Sequence, residues 1–355
     1  MKPLQSSFPA SVSSGTQRGD REAGPTARIQ ALDFTKGALV LFMVLYHWLN
    51  YYFGSQGSYY RYLRFLTPSF IFITGFLISH VYLSEDRKTD PQVPKRLLQR
   101  GLKILVLFVL LNAALALIVP GAQLFQNVSG RDILTIYVTG NPFVGGHERV
   151  ASFYILVPIG YLLLLSAGLS IASRFFKYIF YVICACCLIG LFALYLTGRE
   201  SGNLELIAIG LLGVISGYVP LERGSRFINH PYLLFFAYVC YLTVITIYDV
   251  NYPLQIVGVC LTLMAIYLVG ATEREPGRLR KHVILLGKYS LFGYVFQIAI
   301  LHMLHGGLAH LDLGGAVLYV SFFLAFALTM LSVEGMDRLR TGSKVVNRIY
   351  KGVFA

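Results

Sequence analysis

Arg28-Ile-Gln-Ala-Leu-Asp33-Phe-Thr-Lys36-Gly37, running into an apolar stretch that carries His47, decides how this chain is read. An acid, a base and an imidazole share one segment long enough to span a membrane, where every ionisable group is expensive to keep. Lys36 and His47 are eleven residues apart. On a helix that spacing leaves them about 20° apart around the axis and roughly 16 Å apart along it. Asp33, Lys36, Gly37, Val40, Val44 and His47 therefore form one stripe. Such a stripe suits a long ligand lying along the helix, charged at one end and reactive at the other.

The rest of the chain agrees with a membrane setting. Its 355 residues are 56% hydrophobic and only 13% charged, with a mean hydropathy of +0.63, which sets it apart from soluble domains. The formal net charge is +13. Excess Lys and Arg in cytoplasmic loops accounts for that balance, so no nucleic-acid partner is expected. The five cysteines lie inside apolar runs without metal-ligand spacing to histidine, and read as small buried hydrophobes. No metal site is expected. His302 and His305 are spaced like a ligand pair but have no third ligand nearby in sequence.

At about 20 apolar residues per span, ten segments qualify: 31–53, 62–83, 101–119, 150–170, 176–197, 202–220, 231–250, 253–271, 283–305 and 315–334. The expected fold is an all-α polytopic membrane protein of about ten transmembrane helices. Basic residues alternate across these segments. One side has the N-terminal tail, the 86–100 loop, Arg174, Lys177, Arg223, Arg226, the 274–281 loop and the 338–351 tail. The other side has only Arg61, Arg64, Arg131, Arg149 and Arg199. That asymmetry predicts both termini in the cytoplasm, with Lys36 near the inner end of the first span and His47 toward the outer side. Residues 1–27 read as a disordered cytoplasmic tail without the apolar core of a signal peptide. Residues 28–335 form the membrane domain, and 336–355 a basic cytoplasmic tail. The longest outer loop, 120–149, holds the glycosylation-type tripeptide Asn127-Val-Ser129.

His47 can take a proton from an attacking hydroxyl and return it later, or it can be an interfacial histidine in a belt with Tyr46, Trp48, Tyr51 and Tyr52. Asp33 and Lys36 can neutralise one another, or Lys36 with Arg28 can meet phosphates while Asp33 orients the cations. Gly37 lets a ligand or a neighbouring helix approach closely. Arg96 and Arg100, four apart on one face, can anchor to anionic lipid or clamp donor phosphates. In the second span a proline break at Pro68 and the Thr74-Gly75 step predict a kinked helix with a close contact. Gly210, Gly213 and Gly217 predict close packing of the sixth span. Lys288 can join the phosphate site or snorkel.

Three elements carry a resemblance to the transmembrane acyltransferase superfamily, which groups acyltransferase family 3 with glucan succinyltransferase-like and heparan-glucosaminide acetyltransferase-like proteins. The opening Arg28…Asp33…Lys36-Gly37…His47 resembles the family's first pattern. Ser69-Phe-Ile-Phe-Ile-Thr74-Gly75-Phe76-Leu77-Ile78 is similar to its second-span element. Leu286-Gly287-Lys288-Tyr289-Ser290-Leu291 is similar to the element opening its penultimate span. The resemblance implies transfer of an acetyl, succinyl or similar group from cytosolic acyl-CoA to a hydroxyl of an extracytoplasmic glycan or other envelope acceptor. It makes His47 the catalytic base, with Asp33 beside it in the motif. Arg28, Lys36, Arg96, Arg100 and Lys288 become donor-binding residues, and Gly37, Thr74, Gly75, Ser290 and Gln297 pack helices or line the site. Lys36 stands where the family has arginine, Thr74 where it has serine, and Gln297 where many relatives have histidine. The implied setting is a bacterial inner membrane, with acyl-CoA as co-substrate rather than bound cofactor. A secondary transporter of an anionic or sugar-linked solute is the rival reading.

Overall fold

The computed structural model describes residues 30–54, 57–83, 90–118, 130–141, 143–144, 148–149, 152–219, 231–271, 277–308 and 315–354. Arg28, the 1–27 tail and the Asn127 tripeptide lie outside the described residues. The described chain is helical apart from one two-residue ladder in the 120–149 loop, Phe143–Val144 against Glu148–Arg149. In order the helices are α1 (Gln30–Tyr52), α2 (Tyr60–Leu63), α3 (Leu66–Leu77), α4 (Gln92–Ile118), α5 (Gly130–Thr139), α6 (Leu156–Ala172), α7 (Ile179–Leu196), α8 (Gly202–Ser216), α9 (Pro231–Ile247), α10 (Tyr252–Ala271), α11 (Arg278–Lys288), α12 (Ser290–Leu308), α13 (Ala316–Gly342) and α14 (Lys344–Phe354).

Among the described residues seven segments are long and apolar enough to cross a membrane: those built on α1, α2–α3, α4, α7, α10, α12 and α13. The other three expected spans coincide with shorter apolar helices, α6, α8 and α9. The 15 residues of α8 rise only about 22 Å, less than the roughly 30 Å hydrocarbon core. Large apolar side chains such as Leu117, Ile189, Phe235 and Phe323 are exposed on several helices, a surface suited to lipid rather than water.

α1 is the hub, packed against α3, α10, α11, α12 and α13. Its contact with α11 is backbone on backbone: a Cβ on Gly37 would strike the Val283 carbonyl, and one on Gly287 the Asp33 carbonyl. α3 meets α8 in the same way, with Gly75 against the Gly210 carbonyl and Gly213 against that of Phe72. Without a hydrophobic drive between helices in lipid, such close approach is what holds a bundle together.

The second span departs from a uniform kinked helix. Pro68 cannot donate to the carbonyl four residues back, and the chain breaks at Arg64–Phe65 between α2 and α3. The freed Arg64 carbonyl accepts from Gln255 Nε2 of α10 at 3.3 Å, which replaces the partner that Pro68 cannot supply. The other end of the span, Ile78–Tyr82, is π-helical.

Two expected boundaries also move. α4 begins at Gln92, nine residues before the apolar run, so Arg96 and Arg100 belong to a helix. The expected ninth span divides at Tyr289 into a basic, amphipathic α11 and an apolar α12. The C-terminal tail continues as α13 and α14. Tyr350 of α14 packs on Tyr289 and Phe292, and the Arg340 guanidinium lies 4.0 Å from its ring centroid.

Candidate active site

Inside the bundle a cavity of about 160 Å³ lies between α1, α3, α4, α6 and α12. Its walls are mostly Ile, Leu and Phe. Its polar points are Lys36, Thr74, Tyr82, Arg100, Ser290 and Tyr294. Lys36 reaches the cavity from α1 while ion-paired to Asp33 Oδ1 at 2.8 Å, with the two side chains 17% and 4% exposed. Arg100 reaches it from α4 and donates from Nη1 to Tyr82 Oη at 3.2 Å. Thr74 lines the wall although its hydroxyl donates to the Phe70 carbonyl of its own helix. Ser290 opens α12, and a helix N-terminus adds partial positive charge beside the two cations.

The other charged candidates lie elsewhere. Arg96 is half exposed, donates to Gln92 Oε1 at 2.6 Å, and stands 3.9 Å from Asp90. It does not line this cavity. Lys288 is exposed and borders a second hollow, which it shares with Gln30, Asp33, Lys281 and His282 on the other flank of α1. The structure thus brings Lys36, Arg100, Thr74 and Ser290 to one cavity, but not Arg96 or Lys288. Gly37 and Gly75 serve helix packing.

His47 is buried, 5% exposed, so its ring is not a member of a lipid-facing belt. It lies edge-on to Tyr46, ring centroids 5.2 Å apart at 62°, and 6.4 Å from the Tyr294 ring. Tyr294 lines the cavity and therefore joins it to the imidazole. The turn that carries His47 is held from the neighbouring helices. Trp48 Nε1 donates to Ser321 Oγ of α13 at 3.0 Å, and Tyr51 Oη lies 3.2 Å from His302 Nδ1 of α12. His302 and His305 both pack on Tyr51. Among the described residues no three His, Cys, Asp or Glu side chains converge as a metal site.

Gln297 is fully buried, and among the described residues neither amide atom has a hydrogen-bond partner. On α12 it lies one turn beyond Tyr294, which meets His47, and one turn before Leu301, which packs with Val44 and Trp48 of α1. The amide therefore sits on the α1-facing side of α12, beside the His47 turn. Sequence reasoning passed over Tyr294 and Tyr82. Tyr294 could have been found, because Ser290, Tyr294, Gln297 and Leu301 recur at helical spacing on one inward face. Tyr82 offered no such signal, since it ends a π-helical turn.

A family model described as an acyltransferase domain matches residues 29–333. The chain belongs to acyltransferase family 3. No curated protein and no solved structure matches it. The matched region runs from the start of α1 into the second half of α13, so the acyltransferase domain contains the cavity, His47 and Gln297. Family membership and the apolar helices together make the protein a multi-pass membrane acyltransferase.

Proposed function

We propose that this acyltransferase moves an acetyl, succinyl or similar short acyl group from cytosolic acyl-CoA to a hydroxyl on an extracytoplasmic glycan or other envelope acceptor. The observation that carries the reading is the cavity that holds Lys36 and Arg100 and is walled by Tyr294, whose ring meets His47. The largely buried Lys36 and the exposed Arg100, both lining this cavity, attract the donor phosphates. The apolar walls suit the pantetheine arm. At about 160 Å³ the slot is smaller than the roughly 300–1,000 Å³ of pockets for drug-sized ligands, which favours a short acyl group with the nucleotide left at the mouth.

The roles follow from the chemistry. His47 accepts the acceptor's hydroxyl proton as oxygen attacks the thioester carbonyl, and returns it to the departing CoA thiolate. Asp33 holds the Lys36 ammonium against α1. Arg28, Arg96 and Lys288 belong to the basic inner surface that gathers the donor. The alternation of Lys and Arg between loops supports ten crossings with both termini in the cytoplasm, and the implied setting is a bacterial inner membrane. The three shorter helices cross by local thinning of the bilayer.

The purified protein incubated with radiolabelled acyl-CoA and an envelope fraction tests this reading. Label should pass into an alkali-labile ester. Uptake of solute into proteoliposomes without acyl-CoA, and no label transferred, would instead support a transporter.

A further inference from the structure

On the Tyr52 end of the bundle, where the proposed acceptor would approach, a separate open cavity of about 260 Å³ is lined by Ser58, Tyr60, Arg61, Arg64 and Asp249 among others. Arg61 and Arg64 are two of the few basic residues on the side that the positive-inside rule leaves poor in Lys and Arg, and they meet in one cavity. Among the described residues each side chain makes one hydrogen bond: Arg61 Nη1 donates to the Thr246 carbonyl at 3.0 Å, and Arg64 Nη1 to the Val250 carbonyl at 2.6 Å. A guanidinium carries five N–H groups in a fixed fork, so most of their donors remain for a ligand. Asp249 lines the cavity and Glu205 is near enough to interact electrostatically with Arg64, yet among the described residues neither carboxylate forms a direct ion pair with either arginine. Three residues apart in a helical stretch, the two side chains leave the same side of the segment.

Tyr60 connects this cavity to His47. Its ring is 5.9 Å from that of Tyr46, and Tyr46 is 5.2 Å from the imidazole. From these contacts we infer that the Arg61–Arg64 cavity is the acceptor's anion-binding site, and that the acceptor carries a carboxylate or phosphate group near the hydroxyl that is acylated. The anionic oxygens take the two guanidinium forks, the sugar ring lies along Tyr60, and the hydroxyl points toward His47. This inference rests on the reading of His47 as the base, but it makes a claim about binding that does not depend on transfer.

Binding of three probes to the full-length protein in nanodiscs separates the possibilities: methyl glucuronide, glucose 1-phosphate and methyl glucoside, each measured by titration calorimetry. At least one anionic probe should bind about tenfold or more tightly than the neutral glucoside, the size expected of a charge-assisted contact, and which one does identifies carboxylate or phosphate. Arg61→Gln and Arg64→Gln should each weaken that preference, and the double variant should abolish it. Arg64→Lys, which keeps the charge, should retain part of it. Unchanged thermal unfolding of the variants shows that they are folded. Equal binding of all three probes, or a preference that survives in the folded double variant, overturns the inference. Anion-selective binding in a protein that transfers no acyl group would uphold the site and count only against the acyltransfer reading.

Discussion

Lys36 and Asp33 form an ion pair at 2.8 Å, yet they border different spaces: Lys36 the inner cavity, and Asp33 the basic hollow with Lys281 and Lys288. The pair thus sits between a surface rich in positive charge and the slot beneath it. Lys36→Ala should raise the apparent KM for acyl-CoA about 10- to 100-fold, the loss of one charge-assisted contact, with a smaller change in kcat. Asp33→Asn leaves a poorly solvated ammonium without its carboxylate, and should lower stability by up to about 3–5 kcal/mol. Thermal unfolding of the two variants, followed by the double variant, separates binding from packing.

Arg96 and Arg100 should behave differently although they are one turn apart. Arg100→Gln removes an exposed cation that nonetheless lines the cavity beside Tyr82 and should weaken donor binding up to about tenfold. Arg96→Gln, which does not line the cavity, loses only contacts with Gln92 and Asp90 and should change donor KM less than threefold. Steady-state kinetics with varied acyl-CoA distinguishes the two.

Much of this was legible in the sequence because membranes make strong demands. The apolar runs that became α1, α7 and α10 follow from hydrocarbon thickness alone, and the Gly75 and Gly210 contact from the need for close packing. What the sequence hid has physical causes. Arg96 and Arg100 share a helix face, but only a three-dimensional bundle decides which of two neighbouring cations meets a cavity. The apolar run at 283–305 concealed the division at Tyr289, because the second half of α11, Val283-Ile-Leu-Leu286, is itself apolar and leads into α12. Arg61 and Arg64, three apart, share a face by helical spacing alone, but their anchors, the Thr246 and Val250 carbonyls, come from distant sequence, and distant partners leave no local signature.

Gly287 lies so close to the Asp33 carbonyl that a methyl group has no room. Gly287→Ala should force α11 away from α1 and destabilise the bundle by about 1–3 kcal/mol or more. The check is the unfolding temperature in detergent beside Gly335→Ala, where the added methyl meets nothing within 4 Å and stability should hold.

Gln297→Leu replaces an amide that has no partner among the described residues by an apolar side chain of similar size. The ligand-free protein should become more stable by about 1–3 kcal/mol, the desolvation cost removed. If the amide meets the thioester or the acceptor, the stabilisation gained on adding acyl-CoA or acceptor should shrink and kcat should fall. A variant more stable and fully active would assign Gln297 to packing alone.

The central claim is that His47 is the base. Acyl transfer and acyl-CoA affinity measured side by side on wild type and His47→Ala test it most directly. The account predicts that transfer falls about 100- to 10,000-fold while the Kd for acyl-CoA stays within about twofold. Undiminished transfer by His47→Ala, in protein that binds its donor normally, would contradict it.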